Sequence, residues 1–156
     1  TYTQDWPLHH ALADARALQT RTDYDTLRLH ATLLWQGQPV HLSALHPMPP
    51  LSSAYAQARD HALRDEALRL SQSGGLGVMA GDLNTTPWAR GLWGAEQAQM
   101  RRAGPGVPTW PNAWGWLSVL PLDHVLASPG WQLVEAHTGP DLGSDHRPMV
   151  VRLVAR

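Results

Sequence analysis

The chain has no cysteine and no phenylalanine, and reading along its 156 residues finds no lysine and no isoleucine either. Without cysteine there are no disulfides, no zinc–thiolate sites and no cysteine nucleophile. Asparagine is almost missing too, with only Asn84 and Asn112. Lys, Phe, Ile and Asn all use AT-rich codons, so these gaps reflect a GC-rich genome rather than a physical adaptation. Charge is sparse at 16%, and 12 basic against 13 acidic residues leave a net charge of −1. That balance creates no broad basic field and disfavours tight non-specific binding of nucleic acid. No apolar run reaches the ~20 residues that a membrane-spanning helix needs.

The chain is nonetheless 43% hydrophobic, too apolar for a disordered segment, and its eight Trp supply most of the aromatic bulk. Its length fits one domain, 1–156, able to bury roughly 70% of its unfolded surface. Leu27, Leu29, Ala31, Leu33 and Trp35 alternate along Asp25 to Trp35, the period-2 mark of a half-buried strand. Gln36-Gly37-Gln38-Pro39 reads as a turn, and Pro39 to His46 as the returning strand. Ser52 or Ser53 caps a helix predicted to run to about Ser73, with Ala56, Leu63, Ala67 and Leu70 on one face and Arg59, Asp60 and Glu66 mostly elsewhere. Leu76 to Ala80 is wholly apolar, as in a central strand covered on both faces. Thr86-Pro87 reads as the start of a second helix extending toward Arg101. A long loop displaying Trp110 and Trp114 precedes three strands expected as a meander: Leu122–Ser128, Trp131–His137 and Pro148–Val154. The order implies an α+β fold with a mixed, mainly antiparallel sheet.

Four polar clusters lie at the ends of these apolar strands. His46 ends the hairpin in SALHPMPP. Gly81-Asp82-Leu83-Asn84 follows the buried strand. Its carboxylate can bind a hard cation or take a proton from water, and its amide can hold a phosphate oxygen. The same tetrapeptide also fits an Asx-turn leading into a Thr86 cap. Asp123 and His124 in PLDHVLAS should point to opposite faces of their strand. Asp145 and His146 in GSDHRP are held between Gly143 and Pro148, a placement suited to a metal ligand beside an acid–base group. Arg101-Arg102 reads as a solvated helix end more than as a phosphate contact.

Taken in order, LHPMPP, GDLNTTPW, PTWP, LDHVLAS and GSDHRP resemble the endonuclease/exonuclease/phosphatase superfamily, which shares the fold of pancreatic deoxyribonuclease. The likeness runs from about Gln38 to the C-terminus and is greatest to a bacterial branch of the family. It implies the C-terminal half of a four-layer α/β sandwich with helices on one face. It also implies a phosphoesterase using Mg²⁺ or Mn²⁺ on a phosphate-ester substrate, with nucleic acid possible but not favoured by charge. By the same resemblance, Asp82 orients or deprotonates the attacking water and Asn84 holds the phosphate. His146 is the essential histidine, oriented by Asp123, and His46 assists the phosphorane or leaving group. Asp145 binds metal together with Asp82 and Asn84, and His124 is structural.

The family's first half carries an asparagine and a metal-binding glutamate. Upstream of His46 this chain has neither Asn nor Glu, only Asp5, Asp14, Asp23 and Asp25. The expectation is therefore a C-terminal portion of a longer protein, weak or inactive alone, with a sheet face open to the missing N-terminal half or to a second copy as a homodimer. The competing reading is a non-catalytic binding or assembly module on the same fold.

Overall fold

The computed structural model describes residues 12–20, 26–113 and 119–156. Strands β1 (Leu12–Thr20), β2 (Thr26–Trp35) and β3 (Gln38–His46) form an antiparallel meander. Gln36 and Gly37, both with positive φ, make the tight turn between β2 and β3. The prolines after His46 end the ladder, and helix α1 (Ser53–Ser71) carries the chain back so that β4 (Leu76–Asp82) lies parallel to β3. Ser52 caps α1 by accepting a hydrogen bond from the Tyr55 N–H. A short 3₁₀ turn (Arg90–Leu92), helix α2 (Trp93–Gln97) and strand β5 (Arg101–Arg102) follow, and β6 (Asp123–Ala127) pairs antiparallel with both β4 and β5. The sheet order is β1-β2-β3-β4-β6-β5, while β7 (Trp131–Thr138) and β8 (Met149–Ala155) make a separate two-stranded sheet.

The α+β class with a mixed sheet stands, and several local expectations change. The second helix is much shorter than Thr86 to Arg101. Gly91 and Gly94 weaken that stretch, and Gln99 at φ +67 turns the chain out of it. Arg101-Arg102 is consequently an edge strand, not a helix end. The last three strands are no meander, because the Ser128 to Trp131 turn, closed by the Trp131 N–H on the Ser128 carbonyl, directs β7 out of the main sheet. Arg59 and Glu66, expected mostly away from the apolar face of α1, are both buried. Trp110 bridges to Leu120, and Trp114 lies outside the described residues.

The core sits under one face of the six-stranded sheet. Leu63, Ala67 and Leu70 of α1 meet Leu45, Met79 and Leu126 from three strands, with Leu83, Leu92, Ala95 and Met100 closing the end. Each large apolar side chain buried here contributes about 1.5–3 kcal/mol. A Cβ on Gly77 would sit 3.3 Å from the Leu70 Cβ, so the glycine lets α1 approach the sheet closely. On the opposite face Leu29 pairs with Ala44, Ala44 with Ala80, and Ala80 with Val125. That face is only partly covered: Leu29 and Ala44 are exposed, while Ala80 and Val125 are half-buried. The expectation that β4 is covered on both faces holds for one of them.

Candidate active site

Asp82 and Asp123 are the end residues of β4 and β6 and are directly paired across them. The antiparallel register therefore sets two carboxylates side by side. Gly81, at φ +148, lets the backbone reach this point: a Cβ there would lie 2.0 Å from the Leu45 carbonyl oxygen of the neighbouring strand. The Asp82 Oδ1 accepts the Asn84 N–H at 2.9 Å, so the Asx-turn expected as an alternative is present. Asn84, at φ +47, has left the strand, and its amide nitrogen donates to the Pro47 carbonyl at 2.9 Å.

The Asp82 Oδ2 faces two imidazoles, with His46 Nε2 and His146 Nε2 each 3.6 Å away. Those separations exceed a hydrogen bond and leave room for a small bridging atom. The other ring nitrogen of His146, Nδ1, is 2.8 Å from Asp123 Oδ2. His124, next to Asp123 on β6, points the opposite way and is buried, its Nε2 2.8 Å from the Thr85 carbonyl. Burial holds the His124 ring below its ordinary pKa, which fits a structural neutral imidazole.

Electrostatics separate the groups in the cluster. Burial pushes the Asp82 carboxyl above its ordinary pKa, and the Asp123 charge adds to this against the Asn84 N–H and the two imidazoles. Burial alone would lower His146. The Asp123 hydrogen bond and the charges of Asp123, Asp82 and Asp145 outweigh it and hold the ring above its usual value. Asp145 is exposed, and its carboxylate takes only a 3.4 Å hydrogen bond from Ser144 Oγ among the described residues. The structure thus brings His46, Asp82, Asp123 and His146 together, with the Asn84 backbone against Asp82, and sets Asp145 at the rim.

Residues outside the expected set position these groups. Arg59 of α1 donates from Nη1 to the Asn84 carbonyl at 2.6 Å, fixing the Asx-turn. Asn112 donates to Asp141 Oδ1 and to the Ser144 carbonyl, both at 2.8 Å, and its N–H bonds the Asp145 carbonyl. Thr109 Oγ1 accepts the Leu122 and Asp123 N–H groups, and its carbonyl accepts the Arg147 N–H. The PTWPN segment therefore ties β6 to the loop that carries His146. The rarity of asparagine was the one signal pointing to Asn112.

A family model for the endonuclease/exonuclease/phosphatase family matches residues 1–146. The chain belongs to that family. Its fold is that of solved family members at low sequence identity. A conserved protein of Enterococcus faecalis V583 is 14% identical with a TM-score of 0.76, covering 95% of this chain and 69% of its own. TDP2 from D. rerio, complexed with a single-strand DNA product, is 14% identical with a TM-score of 0.70, covering 93% and 68%. A mannosyl-6-phosphatase of Bacteroides thetaiotaomicron VPI-5482 is 14% identical with a TM-score of 0.65, covering 83% and 57%. No curated protein matches the chain by sequence. The family is one of nucleases and phosphatases, and its solved members share this deoxyribonuclease-like fold.

Proposed function

We propose that this chain carries the acid–base groups of a phosphoesterase that hydrolyses a phosphate mono- or diester with activated water. The observation that supports it is the Asp82 carboxylate facing two imidazoles at 3.6 Å, one of them held by Asp123 at 2.8 Å. In this reading Asp82 takes a proton from water as its oxygen bonds to phosphorus. The ester P–O bond breaks, the leaving oxygen takes a proton from solvent on the His46 side, and Asp82 returns its proton to solvent. His146, whose protonated form the Asp123 carboxylate favours, offsets charge growing on the phosphoryl oxygens, and His46 serves the leaving-group side. A raised carboxyl pKa makes Asp82 a better base than an ordinary carboxylate.

Mg²⁺ or Mn²⁺ belongs to the same proposal, held by Asp82, Asn84 and Asp145. The fit is incomplete: among the described residues no group of three or more His, Asp or Glu side chains is arranged to hold a metal ion. The Asn84 amide nitrogen is also committed to Pro47. No step above is routed through a cation, and hydrolysis by this chain alone is expected to be slow. The same observation favours the second reading, a binding or assembly module on this fold. The DNA product bound to one neighbour and the mannosyl-6-phosphatase name of another support nucleic acid and small phosphate esters alike as substrate classes.

Hydrolysis of bis(4-nitrophenyl) phosphate and 4-nitrophenyl phosphate, with Mn²⁺, Mg²⁺ or EDTA, tests the proposal against His146→Ala. Metal-stimulated turnover above the variant's background is expected. Turnover equal to that of His146→Ala under every condition overturns the enzymatic reading and leaves the binding module.

A further inference from the structure

A polar cavity, of about 340 Å³, opens at the far end of β6. Arg101 and Arg102 of the edge strand, Ser128, Trp131 and Arg156 are among its lining residues. Asp123 and Ala127 are four residues apart on β6, which places the cavity roughly 13 Å from the Asp82 cluster. No acidic residue lines it. Arg102 gives its Nε to Glu96 at 2.9 Å, and among the described residues neither Arg101 nor Arg156 has an ion pair. Ser128 is 8% exposed and accepts the Gly77 N–H on its Oγ at 2.9 Å, while its hydroxyl proton has no acceptor among the described residues. The Trp131 indole N–H is likewise buried and unpartnered among those residues.

Two guanidiniums without an acidic side-chain partner and a third shared with Glu96, in a lining with no acidic side chain and beside a buried hydroxyl with a proton to give, suit a phosphate group better than a neutral one. The indole edge and the cavity volume leave room for an organic moiety attached to it. We propose that this cavity is a binding site for a small phosphorylated ligand, separate from the candidate active site. A single small ester cannot reach both places, so occupancy here is independent of catalysis.

Isothermal titration of the chain with inorganic phosphate, AMP and a short single-stranded oligonucleotide tests this, using His146→Ala and the double variant Arg101→Ala/Arg156→Ala. Both arginines are exposed, so their removal leaves the core intact, and circular dichroism checks it. AMP is expected to bind wild type and His146→Ala alike, and at least tenfold more weakly to the arginine variant. Comparable affinity for inorganic phosphate identifies the phosphate as the recognised group, and tighter AMP binding adds the organic moiety. The proposal falls if AMP and phosphate do not bind at millimolar concentration, or if their binding survives the arginine substitutions. It also falls if only the oligonucleotide binds, since the arginines would then belong to a polynucleotide track.

Discussion

Asp123 Oδ2 lies 2.8 Å from His146 Nδ1, and the two residues belong to different parts of the fold. Asp123 ends β6 of the main sheet, whereas His146 sits in the loop entering β8 of the hairpin. This bond joins the two and sets which way the imidazole faces Asp82.

Asp123→Asn removes the charge and weakens the acceptor that together raise the His146 pKa. In the proposed mechanism His146 acts protonated and Asp82 ionised. Activity should rise through a pH above the ordinary carboxylate range of ~3.9 and fall above the ordinary imidazole value of ~6.5. In Asp123→Asn the alkaline limb should move to lower pH, with a rate loss of about 10²-fold or more at pH 8. A pH–rate profile with an unmoved alkaline limb would remove the pair from the mechanism. The stability sign follows from the same shift. A folded pKa raised by partners stabilises the fold below the unfolded value and loses that contribution as pH rises through the folded one.

Gly81→Ala should cost at least about 2 kcal/mol, since a side chain is strained at φ +148 and its Cβ meets the Leu45 carbonyl at 2.0 Å. Urea denaturation measures this directly. Activity should fall further than stability, because Asp82 is the next residue. A variant with wild-type midpoint and rate would show that the strand crossing is looser than described.

Asn112→Ala leaves the Asp141 carboxylate and the Ser144 carbonyl without their shared donor. A loss of about 1–2 kcal/mol is expected for a buried hydrogen-bonding group of this kind. The turnover number should drop roughly tenfold while substrate affinity changes less, because the loop would no longer hold His146 in place. Steady-state kinetics separate the two, and an unchanged turnover number would rule out this positioning role.

Glu66 is 1% exposed and bonds Arg69 at 2.7 Å on one oxygen and His30 at 3.1 Å on the other. Burial works to raise its pKa, but the Arg69 hydrogen bond and charge, Ser43 and His30 prevail and lower it. Its stabilising contribution is therefore present above the unfolded value of ~4.3 and is lost as pH falls through the depressed folded one. Glu66→Gln should cost about 3 kcal/mol at pH 7, the low end for a broken buried pair, because Arg69 can regain water. The gap to wild type should close as pH falls below 4 in urea melts. A constant gap would exclude ionisation as the cause.

The legible parts of the chain were those with a strong local period. The alternation of Leu27 to Trp35, the Ser52 cap and the apolar Leu76 to Ala80 each announce an element, and each is found near its expected bounds. Strand β5 has only Arg101 and Arg102, too few residues to show any period, and exists because β6 offers it a free edge. The split into two sheets hinges on the Ser128 to Trp131 turn, whose direction is a matter of tertiary packing. At the site, Asp82, Asp123 and His146 were legible because each sits in a distinctive strand-end motif. Arg59 and Asn112 were not, since their partners lie 25 and 32 residues away in sequence and no local pattern reports such contacts.

The separate β7–β8 sheet gives the cluster a weak point of its own. His46, Asp82 and Asp123 are fixed by the main sheet, and His146 arrives only with the hairpin and the loop before β8. If the hairpin swings away, the remaining carboxylates and the α1 core stay as they are. Partial opening of this kind takes less free energy than global unfolding. On warming, the chain should therefore lose the His146–Asp123 contact before its helical signal melts, so inactivation would come first and be reversed on cooling.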